Sequence, residues 1–260
     1  MTKPFVIAID GPSASGKGVT SRRLAQMLGL LTVDTGAMYR TLAWHCLRMK
    51  VDVNDDKKVA ALCRKWKTKL VAEEGQVRLL VDGYFPAKEI RTSEASAAVA
   101  HVAQIRAVRD WMKAKQRECI QFGSCVMEGR DIGSNIFPET DYKFFLDASP
   151  EVRKLRRERD GVKEDVHARD KRDSQRAHSP LMPSLGALVI DNSHQNVQET
   201  CDLMLEEINQ QQEAVIATQT HDLSEAEKEQ LIASAVFSNA AEAVMVTDRD
   251  RSEEHTSELQ

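Results

Sequence analysis

The chain opens with a continuous apolar run, Phe5-Val-Ile-Ala-Ile9, that stops at Asp10-Gly11. A short unbroken apolar run bounded by turn residues is the pattern of a strand buried on both faces. From Lys17 to Leu28 the apolar positions spread out to Val19, Leu24 and Leu28, with Gly29 after them. That spacing predicts a helix with a glycine stop. Leu30 to Val33 repeats the strand pattern, Asp34-Thr-Gly36 reads as a turn, and Ala37 to Met49 as a second helix. Val77 to Val81 alternates weakly and ends at Asp82-Gly83, which predicts a hairpin nearby. Ser93 to Phe122 reads as helix in two pieces. Cys125-Val-Met127, Tyr142 to Leu146 and Leu188 to Ile190 are further short strands.

Strands alternating with helices imply βαβ units, and so an α/β protein with a largely parallel central sheet. Such sheets bind ligands beyond the carboxyl ends of their strands. Asp10-Gly11, Asp34-Thr35, Glu128 to Asp131 and Asp147 each follow an apolar strand directly. One mouth of the sheet therefore gathers the polar chemistry.

Composition narrows the classes. Of 260 residues, 42% are hydrophobic, enough for a sizeable core. A net charge of −4 offers no global basic field, so neither nucleic acid nor a membrane surface is an expected partner. No apolar run is long enough to span a bilayer, and the first residues do not form a secretory signal. Cys46, Cys63, Cys119, Cys125 and Cys201 make no CxxC pair, which predicts reduced thiols in a cytoplasmic protein. The histidines show no metal-ligand spacing, so no protein-only metal site is expected.

Gly11, Gly16 and Lys17 fit G-x-x-x-x-G-K between a predicted strand and a predicted helix. The plain alternative is a tight strand–helix turn with a chance lysine, but that flanking context is what a phosphate loop requires. Successive backbone N–H groups of such a loop form an anion cradle, and the helix adds its positive end. Gly11, Pro12, Ser13, Ala14, Ser15, Gly16, Lys17, Gly18 and Val19 are thus the expected ATP-binding residues. One departure stands out. The residue after the lysine, commonly Ser or Thr, is Gly18, so magnesium is expected to be held mainly through water and the nucleotide.

GPSASGKG is followed in order by VDTGAMYR, EIRT, Val108-Arg109, EGRDIG, FLDAS and RDKRDSQR. This succession, over roughly residues 3–212, resembles bacterial cytidylate kinases, nucleoside monophosphate kinases among the P-loop proteins. The resemblance implies a P-loop three-layer sandwich, its central parallel sheet carrying helices on both faces, with an NMP-binding insert and a lid. The kinase would occupy residues 1–213, with the NMP-binding part at about 35–110, a small β-containing insert at about 60–90 and the lid at about 150–172. It further implies transfer of the γ-phosphoryl group of ATP, with Mg2+, to CMP or dCMP, by a monomer.

By the same resemblance Thr35, Arg40, Arg109, Arg130, Asp173 and Arg176 bind CMP, and Lys17, Arg130, Asp131, Arg169 and Arg172 serve catalysis. The chemistry agrees: guanidinium forks match phosphate oxygens in pairs, and a carboxylate accepts from the cytosine amino group. Asp131 is expected to orient an arginine or the sugar hydroxyls, with helix capping as its alternative. Arg153 to Arg159 is open between a site element and a solvated helix face. Ala100 stands where the family often has a serine, and the segment from Pro150 to Arg169 is shorter than in many members. Other acceptors (UMP, AMP, shikimate) and a P-loop nucleotide sensor without turnover stay open as alternatives. Residues 214–250 read as an uncertain extension similar to a fragment of a PAS domain. The last ten, RSEEHTSELQ, read as a non-native tail resembling translated adapter sequence.

Overall fold

The computed structural model describes residues 3–159, 181–214 and 230. The chain divides into two compact units, Met1–Glu206 and Glu207–Gln260. The second is described only at 207–214 and 230, all helical. Most of the expected lid, the PAS-like extension and the tail lie outside the described residues.

The first unit runs β1 (Val6–Asp10), α1 (Lys17–Leu28), β2 (Leu31–Asp34), α2 (Thr35–Arg48), α3 (Asp56–Lys65), β3 (Thr68–Glu73) and β4 (Gln76–Val81). It continues with α4 (Ser93–Val102), α5 (Arg106–Glu118), β5 (Cys125–Glu128), β6 (Lys143–Asp147), α6 (Pro150–Arg159) and β7 (Leu188–Asp191). A further helix begins at residue 197.

The strands form one seven-stranded sheet in the order β3-β4-β2-β5-β1-β6-β7. Every pairing is parallel except β3 with β4. From β1 the chain crosses to β2 on one side, and β6 and β7 add on the other. Connections that leave in opposite directions open a crevice at the strand ends, and the site forms there.

All five residues of β1 are buried, so both faces of the sheet are covered. Val6 and Ala8 join a cluster with Met38, Leu42 and Cys46 of α2 and Val108 and Met112 of α5. Ile7 and Ile9 point the other way and are as fully buried, as are Leu24 of α1 and Cys201 and Met204 beyond residue 197. Each such aliphatic side chain contributes about 1.5–3 kcal/mol.

The structure departs locally from the sequence pattern. Asp34-Thr-Gly36 is no turn: Asp34 ends β2 and caps α2 at once, its Oδ1 accepting from the Ala37 N–H at 2.8 Å. The hairpin partner of β4 precedes it, through a turn with positive φ at Glu74 and Gly75. Asp82-Gly83 makes a second turn that bridges Val81 to Tyr84. Neither α3 nor β3 stands out in the pattern, because β3 is only half-buried and α3 hides just Val59, Ala60 and Cys63. Trp66 and Trp111 pack ring against ring at 4.8 Å, the packing role their type predicts. All five cysteines are free and buried.

Candidate active site at the strand ends

The loop from Gly11 to Gly16 joins β1 to α1. A Cβ on Gly11 would stand 2.0 Å from the Leu146 carbonyl oxygen, so only glycine lets β1 turn there. Gly16 has φ 91, and Ala14, which is not glycine, is also left-handed at φ 60. Lys17 is buried, and its Nζ donates to the Pro12 carbonyl at 2.5 Å and to Ser15 Oγ at 3.4 Å. The ammonium thus lies across the mouth of the loop. Ser13 and Ser15 are buried, whereas Val19 is 47% exposed and lines the cleft.

Helix α6 grips this loop from behind. Arg153 is buried and donates through Nε to the Ala148 carbonyl and through Nη1 to the Ser13 carbonyl. Arg156 Nη1 donates to the Ala14 carbonyl at 3.3 Å, and Arg157 Nη2 donates to Ser13 Oγ at 2.6 Å. The solvated-face reading of this run is therefore corrected for these three arginines. The reason is tertiary: the loop turns its carbonyls toward α6, and those carbonyls need donors.

Five of the parallel strands end in an acid: Asp10, Asp34, Glu128, Asp147 and Asp191. Asp10 accepts from the Ile132 and Gly133 N–H groups, both at 2.8 Å, and ties β1 to the segment after β5. Burial pushes its carboxyl up to about 6 despite those donors. Asp147 and Asp191 accept from nearby backbone N–H groups. Glu128 instead lines the cleft beside Lys17, in register with Asp34. Burial, and then the Asp34 charge, push its carboxyl above the ordinary range, against the pull of Lys17, Arg130 and Arg40.

A cleft of about 780 Å³ opens over these ends, and Lys17, Thr35, Arg40, Arg109, Arg130 and Asp131 all line it. These expected residues come from α1, α2, α5 and the segment after β5, so the fold brings them together. Arg109 is buried and pairs with Asp131 at 2.5 Å, while Asn135 Nδ2 donates to the same Asp131 oxygen at 2.9 Å. Asp131 therefore orients an arginine rather than capping a helix with its side chain. Thr35 Oγ1 donates to the Glu128 carbonyl at 2.7 Å, which leaves its lone pairs to meet a ligand. Arg130 Nη1 donates to the Gly129 carbonyl. Arg169, Arg172, Asp173 and Arg176 lie outside the described residues.

The cleft also holds Arg22, Arg78, Arg91, Arg157 and Gln104, which sequence reasoning did not assign to the site. Arg91 stands within the EIRT run and was findable there. Arg78 is on a strand of the insert, held by Glu74 at 2.7 Å, and no local signal marks it. Ala100 does line the cleft, with Ser96 one helical turn before it.

A phosphate loop that faces Arg40, Arg109 and Arg130 across one cleft defines a P-loop phosphotransferase of the α/β class. The chain belongs to the cytidylate kinase family, whose profile matches residues 7–210. It is 37% identical over 221 residues to the cytidylate kinase of Bacillus subtilis (strain 168), covering 81% of this chain and 99% of that one. Against the cytidylate kinase of Syntrophotalea carbinolica it is 37% identical over 224 residues, covering 82% and 95%. With that of Clostridioides difficile (strain 630) it shares 37% over 221 residues, covering 79% and 98%.

Proposed function

We propose that this chain transfers the γ-phosphoryl group of ATP to CMP or dCMP, giving ADP and CDP or dCDP. Membership of the cytidylate kinase family carries the reading. The cleft supports it, because Lys17 and three arginines supply cationic groups for two separate phosphate esters. The outer phosphates of ATP rest on the N–H groups of Gly11 to Val19, with Lys17 beside the group that leaves. Arg40, Arg109 and Arg130 hold the CMP phosphate, and Asp131 fixes the Arg109 fork. Arg169 and Arg172 approach the transferring phosphoryl group, and Asp173 and Arg176 read the cytosine and sugar. Phosphoryl transfer asks mainly for such positioning and charge neutralisation.

Magnesium fits this arrangement. A Cβ on Gly18 would stand 2.9 Å from Glu128 Oε1, so the carboxylate fills the space where a loop hydroxyl-bearing side chain would begin. Glu128 and Asp34 are adjacent across β5 and β2, and the Asp34 charge raises the cost of ionising Glu128. A hydrated divalent ion relieves that repulsion, and Asp34 and Glu128 would hold it through its water. When bound, the ion would supply charge neutralisation between the outer phosphates.

The chain works as a monomer in the cytoplasm, where its buried thiols stay reduced. No helix among the described residues is long and apolar enough to cross a membrane. An ADP-release assay with CMP, dCMP, UMP and AMP tests the reading. Turnover with CMP and dCMP well above the other two is expected, and a preference for UMP or AMP would overturn it.

A further inference from the structure

The phosphate loop leaves a backbone problem on its outer side. If the N–H groups of Ser13 to Gly16 face a phosphate, the carbonyls between them face away, and buried carbonyls need donors. The structure supplies one donor for each. Arg153 Nη1 donates to the carbonyl of Ser13, Arg156 Nη1 to that of Ala14, and Asn192 Nδ2 to that of Ser15 at 2.8 Å. Asn192 follows β7 and is 3% exposed. Its own acceptor is held by Arg156, whose Nη1 donates to Asn192 Oδ1 at 3.0 Å and whose Nη2 donates to the Asn192 carbonyl at 2.9 Å. A single guanidinium thus joins the loop to the end of β7, and it bonds the one residue of the loop, Ala14, that is left-handed without being glycine.

We infer that Arg156 and Asn192 are positioning residues for phosphoryl transfer. They hold the Ala14 and Ser15 peptides with their N–H groups turned into the cleft. Neither side chain needs to touch the nucleotide. A donor on a peptide carbonyl also polarises that peptide and strengthens its N–H toward an anion. The left-handed Ala14 costs about 1–2 kcal/mol, so without its partners the loop would relax toward other conformations and present fewer amides. The effect therefore falls on the phosphates of the donor nucleotide and not on the acceptor, whose arginines stand on α2, α5 and the segment after β5.

This inference rests on the proposed reaction only for its kinetic arm. Asn192→Asp keeps size and the pairing with Arg156 but replaces the donor to Ser15 with an acceptor. Arg156→Met keeps the stem and removes the fork, and Arg156→Lys restores charge with one donor centre. ADP binding to the three variants and the parent is measured by titration calorimetry, which needs no acceptor and no turnover. Asn192→Asp and Arg156→Met are expected to bind ADP about tenfold to a hundredfold more weakly, with Arg156→Lys between them and the parent. In steady state the KM for ATP should rise by a similar factor while the KM for CMP stays within about twofold.

A purely structural role would instead lower the melting temperature with ADP affinity unchanged, and that result overturns the inference. Equal rises in both KM values overturn it too. If the parent makes no CDP, the proposed reaction fails, and the calorimetric arm still decides the positioning role. If Arg156→Met does not fold, Asn192→Asp, which changes no volume, decides between the two roles by its ADP affinity.

Discussion

The two sides of the cleft are built from different material. The side proposed for the ATP phosphates is backbone: one loop of consecutive residues whose shape is set by Gly11, Gly16 and bonds from α6 and Asn192. The side proposed for the acceptor is side chain: Arg40, Arg109 and Arg130 reach in from three places far apart in sequence. A backbone cradle binds any polyphosphate end and gains little from the identity of its residues. A set of forks fits one phosphate at one position, and depends on second partners such as Asp131 to stay aimed. Each side is therefore vulnerable in its own way. The donor side fails when the loop is deformed, and the acceptor side when one charge loses its partner.

Breaking the proposed donor side should cost most, and Lys17 is the buried cation of its loop. Lys17→Met is expected to lower kcat on the order of 10²–10³-fold, read by ADP release at saturating substrates. Next is the acceptor side. Asp131→Asn leaves a buried guanidinium without its counter-charge, because both side chains of the pair are under a tenth exposed. Urea unfolding should show a loss of about 3 kcal/mol, and the KM for CMP should rise well beyond that for ATP. If the ATP value moves as much, the two sides are not separable in this way.

Asp10 lies where the sides join, beneath the loop and bonded to the backbone after β5. Its carboxyl is raised from 3.8 to about 6 by burial, so the folded chain holds that proton more tightly than the unfolded chain. Asp10 thus favours folding below pH 4 and loses that contribution as pH rises through 6. Melting the parent and Asp10→Asn across this range should show the variant improving relative to the parent with rising pH, by up to about 3 kcal/mol. A constant difference would mean that Asp10 is not shifted.

The smallest effect is the least intuitive. Gly18→Ser writes the commoner phosphate-loop residue into the chain, yet its Cβ would meet Glu128 Oε1 at 2.9 Å. Activity should fall, on the order of tenfold, because the loop or the carboxylate must move. A gain would show that Glu128 gives way without loss.

The same contrast explains what could be read without coordinates. β1, the loop and α1 were legible in full, since apolar run, glycines, lysine and helix stop are all local; α1 lies at Lys17–Leu28 as its spacing predicts. That Arg40, Arg109 and Arg130 share a cleft with Lys17 is legible only through a succession of motifs resembling a family, because nothing local marks Arg40 or Arg109 as facing Lys17. Asp34 reads as part of a turn because one residue both ends a strand and caps a helix. The arginines of α6 fit two readings from sequence alone. Their partners, the carbonyls of Ser13 and Ala14, lie more than a hundred residues earlier in the chain. The edge strand β3 is hard to read because it is only half-buried and its alternation blurs, and nothing local marks Arg78 on the alternating β4 as facing the cleft.

On the proposed reading one cleft holds both phosphates at once, end to end. A bisubstrate analogue that joins adenosine to cytidine through a polyphosphate bridge probes this, titrated into the protein by calorimetry beside ATP and CMP alone. The analogue is expected to bind at least about a hundredfold more tightly than either nucleotide, and to lose most of that gain in Lys17→Met. Affinity no better than that of the tighter single nucleotide would contradict the claim.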